Sequence, residues 1–159
     1  MEITTYKEQD KNQIVDLIVN IQRNEFQIPI TAEQQPDLND IPGFYQTGAG
    51  NFWVARLSDK VVGTISLLDI GNGQAALRKM FVDKDFRGSK HGTAIRLLSE
   101  LIAWAKSQKL KEIYLGTTSS FHAAHRFYEK NGFIEIAKED LPLTFPVMEV
   151  DTKFYRYAS

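Results

Sequence analysis

The sequence predicts an α+β fold: a mixed, mostly antiparallel sheet of six or seven strands with one parallel β-α-β crossover, flanked by about four helices. Three observations predict it. Three β-rich runs follow one another between residues 51 and 82, separated by Ser58-Asp59-Lys60 and Gly71-Asn72-Gly73. These turn signals are of the kind that close hairpins, so the runs read as an antiparallel meander. A helical run from Thr93 to Gln108 then separates the third strand from a fourth, Glu112 to Thr117. Strand, helix and strand in that order make a crossover that joins parallel neighbours. Last, Phe133–Ala137 and Met148–Tyr157 read as closing strands after a second carboxy-terminal helix.

Taken in order, residues 2 to 6 form a short Thr-rich strand, and Asp10 to Glu25 carry Ile14, Leu17, Ile18 and Ile21 at i, i+3, i+4 and i+7, one buried helical stripe. Residues 26 to 50 change character. Pro29, Pro36, Pro42, Gly43, Gly48 and Gly50 interrupt regular structure, with a short helix expected near Pro36, while Phe26, Ile28, Ile30, Ile41, Phe44 and Tyr45 remain apolar. A loop of that composition is either a packed cover for the core or a binding lid. In the helix from Thr93, Ala94, Leu97, Leu98, Leu101, Trp104 and Ala105 keep a helical period. Ser119 or Ser120 is placed to cap the next helix, which runs through Tyr128 and stops at Asn131-Gly132, where glycine suits a left-handed cap. The proline-braced Leu141–Pro146 is either a pocket wall or core packing.

A chain of 159 residues is the size of one domain, spanning 1–159, and buries about two-thirds of its unfolded surface without staples. The net charge of -1 is spread along the chain, which argues against a nucleic-acid partner. There is no cysteine, which excludes disulfides, thiolate nucleophiles and cysteine-ligated zinc. The amino terminus lacks the features of a signal peptide, and no apolar run approaches the roughly 20 residues that span a bilayer. A cytoplasmic protein without a membrane partner is the expectation. Exposed strand edges and the aromatic run Phe154-Tyr155-Arg156-Tyr157 are compatible with a homodimer.

The stretch Arg87-Gly88-Ser89-Lys90-His91-Gly92-Thr93-Ala94 lies between strand and helix. A helix start offers backbone N–H groups without intrahelical partners and the positive end of the peptide dipoles, hence a place for phosphate. Gly88 and Gly92 allow close approach, and Lys84, Arg87 and Lys90 add positive charge. Neither a Gly-x-Gly-x-x-Gly nor a Gly-x-x-x-x-Gly-Lys-Ser/Thr motif occurs, so Rossmann and P-loop readings lack their defining residues.

The run Leu77-Arg-Lys-Met-Phe-Val-Asp-Lys-Asp-Phe-Arg-Gly-Ser-Lys-His-Gly-Thr-Ala94, the strand Ile113–Thr117 and the block Ala124-His-Arg-Phe-Tyr-Glu-Lys-Asn-Gly-Phe133 together resemble the GNAT superfamily of N-acetyltransferases. The resemblance implies that fold, acetyl-CoA as co-substrate and transfer of an acetyl group to a primary amine of a small molecule or peptide by direct attack. A non-catalytic CoA-binding regulatory or interaction module is the alternative. It further implies that Met80, Phe81 and Val82 run beside the pantetheine arm and supply the N–H that polarises the thioester. The diphosphate would lie on Arg87, Gly88, Ser89, Lys90, His91, Gly92 and Thr93, and Tyr128 would protonate the departing sulfur. Lys90 replaces a glycine usual in the Arg-x-x-Gly-x-Gly signature, and Phe121 replaces an asparagine that contacts pantetheine in many members. By the same resemblance Gln34–Asp37 faces the acceptor, with Asp37 or Glu33 attracting a cationic amine, or else forms a solvated loop.

No residue stands out as the general base: Asp69 is the nearest upstream carboxylate and reads as a solvated turn residue, which leaves water-relayed deprotonation. His122, His125 and Glu129 share a helical face without further signs of a ligand set, and no metal is expected.

Overall fold

A computed structural model describes residues 1–158. The strands are β1 (Glu2–Thr5), β2 (Asn51–Leu57), β3 (Lys60–Gly71), β4 (Gln74–Val82), β5 (Glu112–Thr117), β6 (Ile134–Ile136) and β7 (Lys153–Ala158). They form one sheet in the order β1-β2-β3-β4-β5-β7-β6. Every neighbouring pair is antiparallel except β4 and β5. The helices are α1 (Lys11–Asn20), extended by a π turn at Ile21–Glu25, the single-turn α2 (Pro36–Asn39) and α3 (Ile41–Phe44), then α4 (Thr93–Ser107) and α5 (His122–Lys130).

β2 is apolar on both faces, so the sheet is covered on both. Trp53 and Ala55 point to the layer formed by α4 and α5, where they pack with Ile65, Leu77, Leu97, Leu98, Leu101 and Tyr128. Phe52 and Val54 point to the layer of α1, α2 and α3, with Ile14, Ile18, Leu38, Ile41 and Tyr45. Each of these aliphatic side chains contributes roughly 1.5–3 kcal/mol relative to exposure. A smaller cluster on the far half of the sheet joins Ile70, Ala76, Tyr114 and Phe154 to Phe145.

The structure departs from the sequence reading at two boundaries and decides one open alternative. The closing strand starts at Lys153, because residues 148–151 fold into a turn in which the Asp151 carboxylate accepts from the Met148 N–H at 3.0 Å. Phe121, not a serine, occupies the N-cap position of α5, with no side-chain cap. The Ser120 hydroxyl is engaged instead with Thr118, at 2.9 Å. Within the Leu141–Pro146 segment Phe145 is core, while Leu143 is fully exposed.

Candidate active site

β4 and β5 are hydrogen-bonded only at their beginnings, where Gln74, Ala75 and Ala76 face Glu112, Ile113 and Tyr114. Beyond that point each strand keeps its other neighbour: β4 stays on β3 to Val82 and β5 stays on β7 to Thr117. The two strands therefore part, and the backbone of Leu77–Val82 borders an opening in the middle of the sheet. Unpaired strand edges hold N–H and C=O groups ready for a ligand.

A β-bulge lies on that edge. Lys79 and Met80 together oppose the single residue Ile65, between the pairs Thr64 with Phe81 and Ser66 with Arg78. Lys79 takes the left-handed region at φ 56°, uncommon for a residue with a side chain. The hydroxyls of Thr64 and Ser66 hold the bulge, donating to the carbonyls of Lys79 and Arg78, each at 2.7 Å.

The two cations of the bulge differ. The Lys79 ammonium is buried, donates to Gln35 Oε1 at 2.6 Å and stands 3.4 Å from Asp37. Burial lowers its pKa, against the opposing pull of Asp37. Asp37 also accepts from the Tyr45 hydroxyl at 2.5 Å, and Gln35 exchanges amide hydrogen bonds with Gln22 at 2.8 and 3.2 Å. Asp37 is thus a buried counterion of Lys79, not a solvent-facing lure for an amine, which corrects that expectation; Glu33 remains exposed. Arg78 lies over the rings of Phe44 and Tyr45, 5.5 and 5.9 Å from their centroids, with Nη2 3.8 Å from Met148 Sδ. Among the described residues no carboxylate pairs with it.

On the β5 side Asp151 rests against Gly116. A Cβ at residue 116 would stand 2.6 Å from Asp151 Oδ2, so only glycine leaves room for this carboxylate. Burial raises its pKa, opposed by the Met148 N–H and by Arg78. Asp69, in contrast, is a turn residue, accepting from the backbone of Ala49 and Gly71 at 2.9 and 2.8 Å.

After β4 the chain passes through the turn of residues 87–92 into α4. Gly88 and Gly92 have φ of 93° and 64°. The amides of His91 and Gly92 turn inward to the Gly88 carbonyl, at 3.2 and 3.1 Å. Those of Gly88, Ser89 and Lys90 have no acceptor among the described residues, and Thr93 begins the helix with its N–H free in the ordinary way of a first turn. The Arg87 side chain is committed elsewhere: Nε donates to the Val82 carbonyl at 2.8 Å and Nη1 pairs with Glu25 at 2.7 Å. The His91 ring lies by Phe86, and the buried Thr93 hydroxyl reaches Met1 Sδ at 3.4 Å. What this turn offers a ligand is main chain, the exposed Ser89 hydroxyl and the Lys90 side chain.

Tyr128, 6% exposed, packs beneath α5 on Phe133 and Tyr155, with centroid distances of 5.5 and 6.2 Å. Tyr155 pairs across the ladder with Leu115, next to the opening. Burial pushes the Tyr128 phenol pKa up, and among the described residues its hydroxyl makes no hydrogen bond. Phe121 stacks on Phe26 at 4.2 Å. The polar contact expected at position 121 is replaced by an aromatic one, formed with a residue whose partnership sequence spacing does not reveal. His125 Nε2 is engaged with the Thr118 carbonyl at 2.7 Å and Glu129 accepts from Tyr155 at 2.6 Å, so the histidine-bearing face of α5 is structural. A shallow hollow of about 300 Å³ runs along α4 from Ile95 to Lys106 and Asn131, on the outer surface rather than in the opening.

A family model, the acetyltransferase (GNAT) family, matches residues 15–133. The chain belongs to the GNAT acetyltransferase family. Crystal structures of GNAT relatives superpose closely. An acetyltransferase of the family from Staphylococcus aureus Mu50 is 39% identical with a TM-score of 0.92, over 99% of this chain and 98% of that one. An acetyltransferase from Streptococcus agalactiae 2603 is 31% identical with a TM-score of 0.94, over the same shares. The fold also matches a PaiA N-acetyltransferase of Thermoplasma acidophilum in complex with coenzyme A, 16% identical with a TM-score of 0.77, over 99% of this chain and 98% of that one. Among curated GNAT relatives, the N-acetylaspartate synthetase of Xenopus tropicalis is 39% identical over 101 residues, 61% of this chain and 36% of that protein. The chain thus spans just over a third of that relative's length. Of the described residues, no helix is long and apolar enough to cross a membrane.

Proposed function

We propose that the protein transfers an acetyl group from acetyl-CoA to a primary amine of a small molecule by direct attack. The observation that carries the reading is the parting of β4 from β5 beside a turn whose Gly88, Ser89 and Lys90 amides are unoccupied. Pantetheine lies along Met80–Val82 as an added strand would, accepting and donating to the free edge. The diphosphate sits on the amides of Gly88–Lys90 and Thr93, with Lys90 adding charge; the Arg87 and His91 side chains shape the turn rather than contact the ligand, and the Gly92 amide is turned inward. One N–H of the Met80–Val82 edge polarises the thioester carbonyl, an interaction typically worth a few kcal/mol because it is preorganised in a dry site. The name of the N-acetylaspartate synthetase relatives supports a small-molecule amine as acceptor.

In the reaction the neutral amine nitrogen bonds to the carbonyl carbon and the C–S bond breaks. Tyr128 gives its phenolic proton to the thiolate, and the amide nitrogen loses its excess proton to water, which restores the phenol. A phenol with a reference pKa of about 10 protonates a thiolate of about 8.5 only because the apolar cleft makes the thiolate a stronger base. The test is thiol release from acetyl-CoA across a panel of amines. Tyr128→Phe is expected to lower kcat by roughly 10²-fold at saturating acceptor with unchanged CoA affinity. Full kcat in the variant overturns the role of Tyr128. CoA binding without turnover on any amine leaves the non-catalytic module.

A further inference from the structure

The walls of the opening carry opposite charges on its α1–α3 face. Arg78, on the β4 wall, is a cation held in place by two aromatic rings and a thioether but not neutralised by any described carboxylate. Its neighbour Lys79 shows that this chain does provide a counterion where none is meant to come from outside: Asp37 stands 3.4 Å away and Gln35 takes a hydrogen bond. Asp151, on the β5 wall, is fixed by the Met148 N–H and admitted by the missing side chain of Gly116. The two charges influence each other without forming an ion pair.

We propose, building on the acetyl-transfer reading, that the acceptor is an amino acid whose carboxylate pairs with Arg78 and whose ammonium pairs with Asp151. A guanidinium binds a carboxylate with two parallel hydrogen bonds and so fixes orientation as well as position. A zwitterion satisfies both walls at once, whereas a simple amine leaves Arg78 unpaired, and a peptide amine replaces the adjacent carboxylate by a neutral amide. Sites built to pair a polar group discriminate strongly against analogues that lack it. The acceptor is thereby held on the β5 wall, beside the thioester lying along β4, and its ammonium gives up one proton to water before the neutral amine attacks.

The experiment compares each common L-amino acid with the amine left by removing its carboxylate, in thiol release by wild type, Arg78→Gln and Asp151→Asn. The best amino acid is expected to exceed its decarboxylated partner in kcat/KM by about tenfold or more. Arg78→Gln brings that ratio close to one through KM, with CoA affinity and turnover of the simple amine retained; Asp151→Asn raises KM for both members. A wild-type ratio near one, or a preference that survives Arg78→Gln, overturns the assignment. Should Arg78→Gln not fold, Arg78→Lys keeps the charge without the fork and is expected to retain part of the preference; an undiminished preference counts against the assignment. If CoA binds but no amine turns over, acetyl transfer fails separately. Calorimetry of the amino acids into CoA-loaded protein then decides this site: heat lost in Arg78→Gln supports it, and equal heat in the variant or none in wild type overturns it.

Discussion

Phe26 and Phe121 stack at 4.2 Å between ring centroids, with their planes inclined by 35°. Phe26 follows the π turn after α1, and Phe121 opens α5, the helix after β5. One residue earlier, Glu25 holds Arg87 in the turn after β4. Residues 25 and 26 thus tie together the two segments that leave the ends of the parted strands, forming a roof over the opening. An aromatic pair of this kind contributes about 0.5–1.5 kcal/mol beyond its buried area. Phe26→Ala is expected to loosen the roof and weaken CoA binding several-fold, up to about tenfold. Calorimetric titration checks this; tighter binding would mean that the roof opposes entry instead.

The pH dependence of turnover follows from the direction of the Tyr128 shift. Burial holds the phenol protonated well above its usual range, so the group stays a competent acid across the alkaline side. The pH profile of kcat/KM for wild type is expected to show no loss attributable to Tyr128 below about pH 10. An alkaline fall below that point that disappears in Tyr128→Phe contradicts the buried environment.

Asp10 is 1% exposed and pairs with Arg56, whose guanidinium also reaches Thr4 at 3.1 Å. Burial alone would raise the carboxyl pKa, but the Arg56 hydrogen bonds and the Lys7 N–H outweigh it and hold the pKa below the usual range. A depressed carboxyl contributes stability that is present above the unfolded value of about 3.9 and lost as pH falls through the folded value. Asp10→Asn is expected to destabilise by roughly 1.5–3 kcal/mol at pH 7. In urea denaturation the gap between variant and wild type is expected to shrink as the pH drops below about 3.9. A gap that stays constant with pH argues against the pair.

Gly116→Ala tests the β5 wall without touching a charge. The new methyl group meets Asp151 Oδ2 at 2.6 Å and Cγ at 2.7 Å, so the carboxylate has to move. The acceptor KM is expected to rise by about tenfold, with little change in CoA affinity. An unchanged acceptor KM shows that the placement of Asp151 does not matter.

Much of this was legible from residue pattern. The hairpins at residues 58–60 and 71–73 and the crossover helix from Thr93 follow from turn residues and periodicity, which are local signals, whereas the insertion of β7 between β5 and β6 does not. The family resemblance singles out, by motif, the turn of residues 87–93 and Tyr128 as the proposed diphosphate and proton-donor positions. What pattern does not carry is side-chain partnership over long separations. Arg87 reads as a phosphate cation until Glu25 is found beside it, and Asp37 as a solvent-facing carboxylate until Lys79 is found buried against it. The bulge at Lys79 has no glycine or proline to mark it, because hydroxyls from β3 hold it in place. Asp151 lies 35 positions beyond Gly116 in the numbering, and only the folded sheet brings the two together.

The most direct test is a crystal structure of the protein with coenzyme A. The diphosphate is expected on the amides of Gly88, Ser89, Lys90 and Thr93, with pantetheine between β4 and β5 and its sulfur within hydrogen-bonding reach of the Tyr128 hydroxyl. Coenzyme A bound outside the opening, or with its sulfur remote from Tyr128, would contradict the account.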